Sequence, residues 1–66
     1  MIGDNIREIR KLKRITQAEL SGIMGIHRTY ISQIEGNHRK PSIDNFIKIM
    51  KSMKCSRKDI CDILEL

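Results

Sequence analysis

The chain has 66 residues, 13 of them lysine or arginine against eight acidic ones, a formal charge of +5, two cysteines and two aromatic rings, Tyr30 and Phe46. One domain of this length, residues 1–66, buries only about 60% of the surface its unfolded chain exposes, and such a core seldom supplies more than roughly 3 to 5 kcal/mol. Two cysteines are too few for a disulfide framework, two rings are too few for a single-strand binder built on stacked bases, and neither a signal peptide nor a membrane-spanning apolar run is present. The expectation is a soluble, cytoplasmic protein whose excess positive charge either favours a polyanion or simply solvates its surface.

Residues 2 to 13 place Ile2, Ile6, Ile9 and Leu12 at helical spacing, with Asp4 early and Lys11, Lys13 and Arg14 late, as the helix dipole favours. Thr16 with Glu19 three residues on forms a capping box ahead of Leu20, Ile23 and Met24, so a second helix starts there. Gly25 suits a left-handed helix end, which stops the second helix near Met24. His27 or a neighbour caps a third helix, in which Ile31 and Ile34 repeat and Glu35 closes the run. Residues 36 to 42, GNHRKPS, are turn chemistry and the one linker. Ser42 caps a fourth helix, IDNFIKIMKSMK, and Ser56 caps a fifth, RKDICDILEL, with Asp59 three residues on. The fold class is all-α, with five helices.

Within Gln17 to Gly36, apolar Leu20, Met24, Ile26, Ile31 and Ile34, small Ser21 and Gly25 stand where a steep helix crossing needs them. A tiny side chain serves the contact, a residue tolerant of positive φ serves the turn, and apolar residues line the facing stripes. This is a helix-turn-helix pattern. TQAELSGIMGIHRTYISQIEGN followed by RKPSIDNFIKIM then resembles the Cro and lambda-repressor-like family of regulators, also called the xenobiotic-response-element type. HRTYIS is especially similar to small phage repressors and to the controller proteins of restriction-modification systems. The resemblance covers the whole chain and implies a compact five-helix fold whose third helix enters the major groove of double-stranded DNA. Two positions depart from the family: Met50 stands where a small residue is usual, and Asn37 takes the usual glycine place after Gly36. Asn tolerates the left-handed region, so the turn is expected to survive.

With Ile31 and Ile34 inside, a period of 3.6 leaves Arg28, Thr29, Ser32 and Gln33 facing outward as candidate base readers. Arg28 suits guanine O6 and N7, Gln33 suits adenine bidentately, and Thr29 offers a methyl for thymine plus a hydroxyl. A bare solvated helix face is the alternative. The resemblance implies a phosphate held at Gln17, at the start of the second helix, where free N–H groups attract anions. His27, Tyr30, Asn37, His38, Arg39 and Lys40 flank the third helix as candidate backbone contacts. The resemblance also implies that Arg10 pairs with Glu35, partly buried.

Two histidines and two cysteines show no zinc-ligand spacing, so no metal or cofactor is expected, and Cys55 and Cys61 read as buried thiols. No nucleophile and base are paired and no phosphate-cradling glycine loop occurs, which excludes the recognisable enzyme classes. The fourth helix carries apolar residues over an arc of roughly 160°, wider than the roughly 100° a single core requires. That surplus, with the fifth helix, points to a homodimer through Ile47, Ile63, Leu64 and Leu66 and to recognition helices about 34 Å apart on an inverted repeat. The reading is a transcriptional regulator, bacterial or phage-encoded. Its rival is an antitoxin-like module that neutralises a partner toxin; such a module commonly needs an extra binding segment, and five helices leave none over.

Overall fold

Four of the five helix starts are fixed by a capping side chain. The Thr16 hydroxyl accepts from the Glu19 N–H while the Glu19 carboxylate accepts from the Thr16 N–H, each at 3.0 Å. Ser56 and Asp59 repeat this reciprocal box, and the Ser42 hydroxyl accepts from the Asn45 N–H at 3.1 Å. The His27 imidazole serves as the fourth cap. In the computed structural model, which describes residues 1–66, the elements are α1 (Ile2–Leu12), α2 (Gln17–Met24), α3 (Arg28–Glu35), α4 (Ile43–Ser52) and α5 (Arg57–Leu64), with no strand. No helix is long and apolar enough to cross a membrane.

These helices close around one core: Ile6 and Ile9 from α1, Leu20 from α2, Ile31 and Ile34 from α3, Ile49 and Met50 from α4, Met53 at its end, and Ile63 from α5. The molecule measures 29 × 22 × 20 Å. Met50 is buried among the core residues, where its flexible thioether suits an irregular space. Asn37 adopts φ 60° and turns the chain after Gly36, so the left-handed place is filled without glycine. Arg14, Lys54 and Glu65 take the same region just beyond α1, α4 and α5.

Several apolar positions lie elsewhere than their spacing predicts. Leu12 is 78% exposed, and Ile2 and Ile23 are exposed as well. The inner face of α1 is completed by Arg10, which follows Ile6 by four residues, and this turns Leu12 to solvent. Cys61 is exposed rather than buried, and Cys55 is half-buried against the core, where burial pushes its thiol pKa up. Ile63 requires a firmer correction. It has no exposed surface, so it is a core residue and not part of a dimer face. Its carbonyl accepts from Asn5 Nδ2 at 2.9 Å, and Lys13 pairs with Asp59 at 3.1 Å, so α5 is laid against α1 with Ile63 innermost.

The caps also set an acid limit. Glu19 is held below its ordinary pKa chiefly by the Thr16 N–H, Asp59 by the Ser56 N–H and then Lys13, and Glu65 by Asn5 and then the N-terminal ammonium. A carboxylate whose pKa is lower folded than unfolded stabilises fully above its unfolded value, and this contribution is lost as pH falls through the folded one. Thermal melting should therefore hold steady above about pH 5 and decline below about pH 4, the ordinary carboxylate range. Asp59→Asn should flatten that decline; an unchanged profile would show that the caps do not set it.

Candidate nucleic-acid interface

The bend between α2 and α3 follows from local chemistry. Gly25 sits at φ 69°, ψ 32°, the Ile26 N–H returns to the Ser21 carbonyl at 3.0 Å, and α3 begins after His27. Small, buried Ser21 allows the helices to approach, its hydroxyl satisfied by the Ala18 carbonyl at 2.9 Å. His27 caps α3 by accepting the Thr29 N–H at its Nδ1, 3.1 Å away. An accepting Nδ1 puts the neutral ring's proton on Nε2, which is left as an outward donor.

On α3, Ile31 and Ile34 point inward, Arg28, Thr29 and Ser32 are exposed, and Gln33 is half-buried at the edge of the same face. Arg28 does not stand apart from the rest of the molecule. It lines a basic cleft with Arg10, Lys11, Arg14, Ile15, Thr16, Gln17 and Ala18, where α2 begins. Thr16 satisfies the N–H of Glu19, whereas the first N–H groups of α2, at Gln17 and Ala18, have no carbonyl one turn back to meet them. Converging cations and free N–H groups are what an anion needs. Lys11 and Arg14 join the candidate positions through this cleft. The run of basic residues at the end of the first helix is the sequence signal for them, and the same run matches the helix dipole.

Beneath this face lies a buried ion pair. Arg10 Nε donates to Glu35 Oε2 at 2.6 Å and Arg10 Nη2 to Glu35 Oε1 at 2.9 Å, with the side chains 9% and 3% exposed. The third guanidinium nitrogen donates to the Ile15 carbonyl at 2.7 Å, and Gln17 Nε2 donates to Glu35 Oε1 at 3.1 Å. One network thus joins α1, the start of α2 and the end of α3. Gln17 retains one N–H without a partner in this network.

The loop residues divide by what they already hold. Asn37 is turned inward: its Oδ1 accepts the Gly3 N–H at 3.0 Å and its Nδ2 donates to Asp4 Oδ1 at 3.1 Å. Both ends of its amide are thus engaged with α1, with one Nδ2 N–H left over. The Tyr30 hydroxyl accepts from Asn45 Nδ2 at 2.7 Å and keeps its own proton free to donate. Arg39 lies over the Tyr30 ring, 4.9 Å from its centre, and reaches Gln33. His38 and Lys40 are exposed. Beyond this loop, Ile2, Ile43, Phe46 and Leu64 line an apolar groove that Arg39 and Lys40 border, with Ile43 79% and Leu66 89% exposed. No group of side chains suited to a metal ion is present.

A helix pair broken at a left-handed glycine, with a polar outer face on its second member and cations beside its first, defines a helix-turn-helix protein. The chain belongs to the helix-turn-helix family HTH_3, a family of DNA-binding regulators rather than enzymes, whose pattern it matches over residues 6–60. It is 40% identical over 63 residues to Control protein C.BamHI of Bacillus amyloliquefaciens, covering 94% of this chain and 78% of that one. It is 30% identical over 56 residues to Control protein C.SmaI of Serratia marcescens, covering 85% and 67%. Repressor protein C2 of Salmonella phage P22 shares 34% over 56 residues, 85% of this chain but only 26% of the repressor.

Proposed function

We propose that the protein is a sequence-specific transcriptional regulator of bacterial or phage origin, acting in the cytoplasm, that lays α3 in the major groove of double-stranded DNA. The observation that carries this reading is the exposed face of Arg28, Thr29 and Ser32 standing directly beside the basic cleft at the start of α2. In such a pose Arg28, Thr29, Ser32 and Gln33 meet base edges. Gln17, His27, Tyr30, His38 and Lys40, joined by Lys11 and Arg14, meet phosphates on either side.

The protein binds as a homodimer in this reading. Ile43, Ile47 and Leu66 are exposed apolar side chains, and Ile43 lines an apolar groove with Phe46 and Leu64. Ile47, Leu64 and Leu66 remain the proposed interface, with Ile43 added. A twofold axis there favours an inverted repeat. Selection of bound sites from random duplex DNA at about 0.15 M salt should return a dyad-symmetric consensus; a consensus without symmetry would remove the dimer, and none at all would remove sequence-specific binding.

Two substitutions separate reading from holding. Arg28→Ala should relax the preference at one base position by about 1 to 3 kcal/mol. Lys40→Ala should weaken every duplex alike and reduce the salt slope by about one. Uniform loss from Arg28→Ala would instead place Arg28 on the phosphate that the cleft attracts.

A further inference from the structure

A chain of contacts crosses from α4 to the edge of α3. Asn45 Nδ2 donates to the Tyr30 hydroxyl at 2.7 Å, the Tyr30 ring carries the Arg39 guanidinium at 4.9 Å, and Arg39 Nη1 donates to Gln33 Oε1 at 3.4 Å. Tyr30 is packed against the core, so its ring is a fixed shelf. A guanidinium is planar and stacks on such a shelf while its fork still donates. Arg39 is therefore oriented by α3 and α4, although it belongs to the exposed loop between them.

The consequence falls on Gln33. A carboxamide has one oxygen that accepts and one nitrogen that donates twice, and its usual pairing with adenine uses both ends together, the oxygen accepting from N6 and the nitrogen donating to N7. Here Arg39 draws the oxygen toward the loop and takes one of its two lone pairs, which leaves the amide nitrogen as the freer end for a base. Resting on the reading that Gln33 faces a base, we propose that Arg39 is a specificity-determining positioning residue: it holds Gln33 as a donor, so that this position selects guanine, with acceptors at both N7 and O6, over adenine. This departs from the adenine preference that Gln33 alone suggests, and it gives Arg39 a role other than a phosphate contact.

The test compares binding-site selections, and salt dependence on the best site, for the parent chain, Gln33→Ala, Arg39→Ala and the double variant. Gln33→Ala identifies the base position that Gln33 reads, as the one whose preference it abolishes. At that position the parent should prefer guanine, and Arg39→Ala should shift the preference toward adenine by on the order of tenfold, one bidentate contact's worth of discrimination. The double variant should show no preference there, with the salt slope of Arg39→Ala unchanged. Uniform loss on every duplex with a slope reduced by about one would make Arg39 a phosphate contact and overturn the proposal. An unaltered preference in Arg39→Ala would overturn it equally. Failure of Gln33→Ala to affect any position would instead show that Gln33 reads no base, and the proposal would fall with that reading. Arg39 is exposed, so its removal should leave thermal melting close to the parent's.

Discussion

Glu35→Ala is expected to destabilise the fold by roughly 3 to 5 kcal/mol, about all that a core of this size supplies. The Glu35 carboxylate accepts from Arg10 Nε, Arg10 Nη2 and Gln17 Nε2, and it is almost wholly removed from water. Deleting it strands the Arg10 guanidinium with only the Ile15 carbonyl for company. The cost is that of an unpaired charge and not of the pair itself, so removing both charges should behave differently. Arg10→Met combined with Glu35→Met leaves apolar groups in an apolar place, and this variant should fold with stability near or above the parent's. Urea unfolding, read as a midpoint at constant slope, separates the two cases. A single variant that unfolds within about 1 kcal/mol of the parent would mean that the pair behaves as a surface one.

Gly3→Ala should cost roughly 2 to 3 kcal/mol, a large effect for one methyl group. A Cβ at Gly3 would stand 2.5 Å from Asn37 Oδ1 and inside contact distance of the Ile34 carbonyl oxygen. Asn37 can swing away, but the Ile34 carbonyl is backbone and moves only with the end of α3. The Gly3 N–H would also lose its bond to Asn37. Gly22 supplies the control, since a Cβ there meets nothing within 4 Å and its helix gains propensity. Gly22→Ala should accordingly stabilise by up to about 1 kcal/mol. If both variants melt alike, the close approach of α1 to α3 is not what fixes Gly3.

Local signals in this sequence are legible because they are decided within four residues. The boxes at Thr16 and Ser56, the cap at Ser42 and the bend at Gly25 each satisfy backbone groups in their own turn, and each is where its spacing puts it. Asn37 likewise takes its left-handed place. What spacing does not decide is which flank of a broad apolar stripe finds a neighbour. Ile63 and Leu64 are adjacent on one helix, yet Ile63 is enclosed while Leu64 borders the groove, because successive residues of a helix point about 100° apart and only one of the two directions meets the core. Gly3 gave no signal, because its reason is a carbonyl 31 positions away, and the inward turn of Asn37 was hidden for the same cause. At the site, periodicity set out the exposed face of α3. The approach of Arg28 to Lys11 and Arg14, and of Arg39 to Gln33, depends on how separate segments meet.

The molecule's longest extent is 29 Å, shorter than the roughly 34 Å over which B-DNA repeats. A solitary chain thus has reach for a single stretch of groove, and on the proposed reading the four outward side chains of α3 distinguish a word of about four or five letters. Such a word recurs by chance about once in several hundred base pairs, against the roughly 10⁶ or more competing positions of a genome. Smallness by itself therefore denies one copy a unique address. A second copy held at fixed spacing lengthens the word to about nine letters and makes each occurrence rare.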